Sequence, residues 1–149
     1  MNIIDLRNLE LKTFTEQDAL DYCLINNLNT DNIIIIHLNG NELTDISGIK
    51  LFKNLKSLYL NNNQIKDISC IKNLKELIDL YIGDNEITDI SVIKYLNKLQ
   101  YLDIDNLELE LDQIKHIKSF KNLKELLCHK GFKDMNILNK LNKNINIIK

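Results

Sequence analysis

The sequence predicts an α/β fold of stacked coils in which every coil contributes one short strand. Three nine-residue segments align without gaps and begin 22 residues apart, at 41–49, 63–71 and 85–93. Upstream of each lies an apolar-x-x-apolar-x-apolar pattern, whose second half has the two-residue period of a strand. Leucine and isoleucine, 26 and 24 of the 149 residues, suffice for a sizeable core. One coil cannot bury its apolar side alone, so stability must accumulate along the stack.

The strand pattern occurs in five clear copies, and these carry a family resemblance. Its apolar positions are Ile33, Ile36, Leu38; Leu55, Leu58, Leu60; Leu77, Leu80, Ile82; Leu99, Leu102, Ile104; and Leu123, Leu126, Cys128. With Asn41, Asn63 and Asn85 after the first three, the pattern resembles the leucine-rich repeat family, L-x-x-L-x-L-x-x-N-x-[LI]. The 22-residue length and the D-I-S-x-I tail are most similar to the internalin-like and SDS22-like subclass. The resemblance implies a right-handed solenoid with a short parallel β-sheet on its concave face and turns and short helices on its convex face.

We expect one leucine-rich-repeat domain over residues 1–149, in three parts. Residues 1–32 form a degenerate repeat and a capping helix, 33–98 form three regular repeats, and 99–149 form irregular repeats and an edge strand. The degenerate repeat is assigned to Leu6, Leu9 and Leu11, which match the apolar pattern.

Both ends of the chain carry helix and strand signals. Thr15 to Asp18 resembles a capping box and predicts a helix over about 16–27. Leu20, Cys23, Leu24 and Leu28 follow at helical spacing, and we expect this helix to close the core. Towards the other end, a helix is predicted over about 112–120. Ile147 is expected on an edge strand, where the flanking Lys143 and Lys149 discourage edge-to-edge aggregation.

Polar residues that recur every 22 positions are predicted to be structural. Asn41, Asn63 and Asn85 follow the strands, where a side-chain amide can satisfy buried backbone groups as a ladder. Leu107 and Gly131 replace this asparagine in the later repeats. Asp45, Asp67 and Asp89 precede the convex isoleucines and suit the start of a short helical turn.

The sequence favours a non-catalytic protein without a cofactor or a metal. No nucleophile has a paired base at a recognisable spacing, and four glycines form no phosphate-binding loop. His37 and His129 are assigned to one outward column four strands apart, roughly 19 Å, too far to share a metal. Three cysteines, an odd number without a Cys-x-x-Cys pair, predict free thiols. Four carboxylates that could suggest an acid pair or a calcium site are interpreted as solvated surface: Asp79, Asp84, Asp103 and Asp105.

The outward strand positions predict a binding surface. The central column is expected to hold Glu10, His37, Tyr59, Tyr81, Asp103 and Leu127. Tyr59 and Tyr81 should touch, with Tyr101 diagonal to Tyr81, and exposed tyrosines are typical of interaction hot spots. Tyrosine is also simply a good strand residue, which is the alternative explanation. The predicted contact residues are Ile35, Tyr59, Asp79, Tyr81, Tyr101, Asp103, Asp105 and Leu127.

These residues predict a module that binds another protein. The carboxylates would attract a basic patch on the surface of that partner. One alternative is a homodimer formed through the solenoid ends; another is a secreted or surface binder of a host protein. Neither a further cap nor an anchor segment follows the repeats, which weakens that last alternative.

The convex lysines could attach to nucleic acid or an anionic membrane, but a net charge of -2 and a pI near 5.9 argue against nucleic acid. Unpaired cysteines, with no signal peptide or membrane-spanning segment, predict a cytoplasmic location.

Overall fold

The computed structural model describes residues 2–141 and 144–149, which build one seven-stranded parallel sheet. The strands pair in chain order, so each repeat lies beside the next. They are β1 (Ile3–Asp5), β2 (Ile35–His37), β3 (Ser57–Tyr59), β4 (Asp79–Tyr81), β5 (Tyr101–Asp103), β6 (Glu125–Leu127) and β7 (Asn146–Ile148). The architecture is a leucine-rich-repeat solenoid.

Short helical segments lie between the strands. There are two α-helices, α1 (Glu16–Ile25) and α2 (Ile114–Lys118), in the described part of the chain. The 3-10 helices there are Thr30–Asn32, Ser47–Leu51, Ser69–Asn73, Ser91–Tyr95, Leu111–Gln113 and Met135–Lys140. In the regular repeats, Asp45, Asp67 and Asp89 each accept a hydrogen bond at 2.7 Å from the backbone N–H two residues later. The prediction that these aspartates start helical turns is confirmed.

The core is a continuous column of aliphatic side chains along the solenoid. The middle residue of each strand from β1 to β6 points inward and is fully buried; these are Ile4, Ile36, Leu58, Leu80, Leu102 and Leu126. The convex Ile49, Ile71 and Ile93 close the column from the other side and are equally buried. Because successive strand side chains face opposite ways, the residues flanking each buried position form the outward face of the sheet.

The predicted asparagine ladder is present, and each rung connects two repeats. The side-chain amide of Asn63 donates to the carbonyls of Leu38 and Leu60, at 3.0 and 2.8 Å. Its oxygen accepts the N–H of Leu43 at 3.0 Å. Asn41 and Asn85 repeat this arrangement one coil earlier and one coil later. Each asparagine therefore joins its own turn to the repeat before it.

The predicted register of the first repeat is wrong. β1 pairs Ile4 with Ile36 and Asp5 with His37, so Asp5, and not Glu10, begins the central outward column. Leu9, assigned to the core, is 54% exposed. The segment after β1 instead forms turns in which Asn8 and Glu10 have φ of 56° and 58°, values incompatible with a strand.

The capping helix is confirmed, and of the core residues predicted on it Cys23 is buried whereas Leu20 and Leu24 are not. Thr15 and Asp18 form the predicted reciprocal capping box. Ala19 and Cys23 face the core, while Leu20 and Leu24 are 49% and 81% exposed, contrary to expectation. The start of the helix lies so close to the next coil that a Cβ on Gly48 would be only 2.3 Å from the carbonyl oxygen of Thr15.

The irregular C-terminal repeats follow their sequence signals closely. The predicted helix over about 112–120 is observed as a 3-10 turn leading into α2, and Ile147 lies on β7 as expected. Leu107, in place of a ladder asparagine, is 7% exposed. At Gly131 a Cβ would lie 2.8 Å from the Cβ of Cys128, so the close packing there requires glycine. Lys149 is exposed, and Lys143 lies outside the described residues.

Candidate functional site

Three aromatic rings stack along the middle of the outward sheet face. His37, Tyr59 and Tyr81 are consecutive in the central column because β2, β3 and β4 pair in register. The ring centroids of His37 and Tyr59 are 4.4 Å apart, with an interplanar angle of 18°. Those of Tyr59 and Tyr81 are 4.7 Å apart, at 8°. The contact predicted between the two tyrosines is confirmed, and we call the three residues the aromatic stack.

No described helix covers this face. The principal helix contacts join α1 to Ser47–Leu51 and α2 to Ser91–Tyr95, away from the outward strand side chains. All three rings of the aromatic stack are half-buried, which leaves part of each ring accessible. Burial lowers the pKa of His37 and raises the pKa values of both tyrosine hydroxyls. The stack is therefore uncharged at neutral pH.

Two carboxylates near the aromatic stack, those of Asp79 and Glu125, have no basic partner among the described residues. Asp79 accepts a hydrogen bond from the Ser57 hydroxyl at 2.5 Å. Glu125 accepts one from the side-chain amide of Asn146 at 3.3 Å. Neither is within ion-pair distance of a lysine or arginine in the described residues. Burial and the neighbouring Tyr59 are the two largest causes of the raised pKa of Tyr81. Asp79 and Glu125 are the next largest, so negative charge lies near the Tyr81 hydroxyl.

Asp103 is buried, and its predicted role as solvated surface is wrong. The side chain is 6% exposed and accepts hydrogen bonds from the Asn61 amide at 2.6 Å and the Asp105 N–H at 2.9 Å. Asn61 lies two repeats earlier and reaches Asp103 across Gly83, where a Cβ would be 2.9 Å from the carboxylate. Burial raises the pKa of Asp103, and these two bonds oppose the rise.

The remaining acids occupy the turn side of the face. Asp105 accepts a hydrogen bond from Nδ1 of His129 at 2.9 Å. Asp84 accepts one from the Asn106 amide at 2.7 Å. His129 follows β6, so it lies in the column beside that of His37 rather than in the same one, which corrects the predicted alignment. Asp105 and Asp84 are therefore held by local partners.

The other predicted contact residues spread along the sheet. Tyr101 pairs in register with Asp79, diagonal to Tyr81, and makes no ring contact in the described structure. Ile35 lies on β2 and Leu127 on β6, four strands apart, which is roughly 19 Å at the usual strand spacing. The structure thus brings Tyr59, Tyr81 and Asp79 together and places Ile35 and Leu127 at the two margins.

Two residues of this face were not among the predicted contacts. His37 was placed in the central column but considered only as a metal ligand, although the same column alignment brings its ring onto Tyr59. Glu125 shares a column with Asp79 and Tyr101, and its charge acts on Tyr81. The signal for both was the register itself, which sets the neighbours in every column.

Other kinds of site have little support in the described residues. Among residues 2–141 and 144–149, no three His, Cys, Asp or Glu side chains converge as metal ligands. Cys23, Cys70 and Cys128 are free, and burial raises the pKa values of Cys70 and Cys128 to about 12 and about 11. No helix in the same part of the chain has the length and hydrophobicity to span a bilayer.

Comparison with known proteins agrees with the repeat geometry. Residues 31–76 match the model of a family described as leucine-rich repeats in two copies. An internalin (InlF) of Listeria monocytogenes is similar in structure, with TM-score 0.72 and 28% identity over 80% of this chain and 35% of its own. Internalin C2 of the same species has TM-score 0.65 and 23% identity over 99% of this chain and 80% of its own. A Leptospira interrogans leucine-rich-repeat protein has TM-score 0.72 and 22% identity over 97% and 36%. Among curated proteins, none matches the sequence.

The chain spans only about a third of the length of the first and third of these structures. Leucine-rich repeats are in general protein–protein interaction modules, and proteins built from them are generally non-catalytic. The repeated sequence pattern, the seven-stranded parallel sheet and these similarities lead to one conclusion: the chain folds as a leucine-rich-repeat solenoid that resembles the internalins.

Proposed function

We propose that this protein binds a partner protein through the outward face of its sheet, centred on the aromatic stack and Asp79. The observation that carries the proposal is a column of stacked rings on a sheet face that no described helix covers. Parallel sheets usually have both faces covered, so an aromatic row left open favours an external partner. Tyrosine offers a large apolar surface and a polar hydroxyl, the combination common in binding hot spots.

The charges around the stack favour a partner with a basic side chain. Asp79 and Glu125 have no described ion-pair partner, and both act on the Tyr81 hydroxyl. A lysine or arginine of the partner, placed against Tyr81, would contact an aromatic ring and a carboxylate together. Guanidinium suits this position best, because it stacks on rings and binds carboxylates in two-bond geometry.

Rigid presentation is the mechanism of recognition in this proposal. The rings are half-buried and packed on one another, and the strands that carry them are paired on both sides. Such a surface loses little conformational entropy when a partner binds. The contact residues predicted from the sequence remain the proposed footprint, with His37 and Glu125 added and Asp103 acting from beneath as a support for the turn at Asp105.

The test is affinity capture from lysates of the source organism and any host, followed by titration of the captured protein. Wild type is compared with Tyr81→Ala, and Tyr95→Ala is the matched control because this tyrosine is also half-buried but belongs to a convex 3-10 helix. We expect Tyr81→Ala to weaken binding by about 1–2 kcal/mol, roughly 5- to 30-fold, and the control to bind normally. Circular dichroism verifies that both variants are folded.

A second variant tests the charge argument. Asp79→Lys should weaken a basic partner more than Tyr81→Ala does, because it introduces repulsion at the proposed cation position. Equal binding of wild type and both sheet variants would refute the proposed face. A partner lost only with Tyr95→Ala would place binding on the convex side.

Self-association is a second candidate, favoured by the sheet edges. β1 and β7 each have one unpaired edge in the described sheet, and their Ile3 and Ile148 are both 37% exposed. Open edges can pair with the edges of another copy. Light scattering after size exclusion tests this, since a stable dimer that Ile3→Lys converts to monomer would support pairing through β1. A monomer at all concentrations would contradict it.

A further inference from the structure

Three lysines gather around one convex tyrosine. The Nζ atoms of Lys72, Lys75 and Lys94 lie 4.7, 5.1 and 5.1 Å from the ring centroid of Tyr95. Lys75 also donates to the carbonyls of Lys72 and Tyr95, at 2.8 and 3.0 Å. The two carbonyls fix the ammonium group of Lys75, and the ring of Tyr95 contacts all three lysines.

None of these lysines is neutralised by a neighbour in the described structure. The ion pairs found there involve other lysines, such as Lys98, which contacts Glu76 at 2.6 Å on the same flank. Elsewhere on the convex side, Lys50 and Lys66 are paired with Glu16 and Glu86. The positive charge around Tyr95 is therefore local rather than a general property of the convex face.

Lys94 also lines a hollow between the coil that follows β4 and the coil that follows β5. This hollow has a volume of about 310 Å³ and is lined by Lys94, Asn97, Ser119, Phe120, Lys121 and Asn122. The Asn122 amide donates to the Asn97 carbonyl at 3.0 Å, and the Ser119 hydroxyl donates to the His116 carbonyl at 2.7 Å, so the polar wall is fixed. Phe120, 8% exposed, anchors the wall in the core. We call this feature the lysine hollow.

We propose that the lysine hollow binds a phosphate group, with Lys94 and Lys121 as its direct ligands. Lys94 and Lys121 both line the hollow and can supply charge-assisted donors, and Lys72 and Lys75 add positive potential beside Tyr95. The volume is at the lower end of that of small-ligand pockets, which suits a compact anion. Binding relieves the repulsion among the lysines because the anion carries more than one negative charge. This proposal is independent of the sheet face.

The experiment measures binding of inorganic pyrophosphate by calorimetry to wild type and three exposed-lysine variants. Lys94→Glu and Lys121→Glu should each weaken binding about tenfold or more, since each replaces a direct donor with a repelling charge. Lys118→Glu is the matched control, because it makes the same charge change three residues from Lys121 but outside the hollow lining. It should change affinity less than about threefold, the effect of a screened distant charge.

A second arm separates the sources of the phosphate. Phosphatidylcholine vesicles with and without phosphatidic acid are sedimented with each variant. Binding to the acidic vesicles that Lys121→Glu abolishes and pyrophosphate displaces identifies a lipid headgroup; saturable pyrophosphate binding without vesicle binding identifies a soluble phosphate compound. Both results support the proposal. It is overturned if neither probe binds wild type saturably, or if Lys118→Glu weakens binding as much as Lys121→Glu.

Discussion

Removing one rung of the asparagine ladder should destabilise the whole protein, and Asn63→Ala is the clearest case. The Leu43 N–H, on a fully buried residue, loses its side-chain acceptor at 3.0 Å. An unsatisfied buried donor costs about 1–3 kcal/mol. The carbonyls of Leu38 and Leu60 each lose one bond but retain the one from Asn41 or Asn85, so each loss costs about 0.5–1.5 kcal/mol.

The expected total for Asn63→Ala is about 4 kcal/mol, the middle of the range to which the three losses sum, measured as the free energy of unfolding in urea. For a chain of this size, that corresponds to a fall of about 10 °C in the melting temperature. Asn73→Ala is the matched control, because Asn73 is exposed at the end of a 3-10 helix and its side chain makes no described hydrogen bond. A change below about 0.5 kcal/mol, equal to that of the control, would refute the structural role assigned to the ladder.

Three further results are expected. Burial raises the pKa of Asp103 above its ordinary 3.8, so the folded state retains a proton that the unfolded chain has already released. Stability should therefore fall as pH rises through that interval, and urea titrations should show a flatter profile for Asp103→Asn. The thiols of Cys70 and Cys128, with pKa values near 12 and 11, should react with a disulfide reagent at neutral pH far more slowly in the folded than in the unfolded protein. Leu24→Lys should change the unfolding free energy by less than about 0.5 kcal/mol, whereas Cys23→Lys should prevent the cap from folding; a large loss from Leu24→Lys would contradict the exposed position found for it.

The regular repeats were predictable because two independent periods agree. A 22-residue spacing and the alternation within each strand leave one register, and the observed pairing of Ser57, Asp79 and Tyr101 follows it. At the N-terminus the periods conflict. Leu6, Leu9 and Leu11 imitate the strand pattern, yet the shorter apolar pair at Ile3 and Ile4 forms the strand.

The capping helix shows a second limit of pattern analysis. Spacing alone placed Leu20 and Leu24 in the core together with Cys23. Ala19 and Cys23 face the core instead, and the start of the helix packs closely against the next coil at Gly48. The choice is made by tertiary packing against the neighbouring coil, which no local period encodes.

Within the candidate site, columns were predictable and burial was not. The tyrosine contact follows directly from register. The burial of Asp103 depends on its hydrogen bond with Asn61, which passes over Gly83, a residue without a side chain. Gly83 could be placed in this column from the sequence. A contact between side chains two repeats apart could not be predicted, because the column arrangement was used only to find neighbours on adjacent strands.

The asparagine ladder has a consequence for how such a chain can change in length. Asn41, Asn63 and Asn85 make equivalent bonds to the coil before, so removing or duplicating 22 residues between them would bring matching donors and acceptors together. From Leu107 onwards, where the amide is absent and the repeat that contains it is 24 residues long, the junctions are individual. Gain and loss of whole units therefore preserves more of the bonds between coils in the first half of the solenoid than in the second.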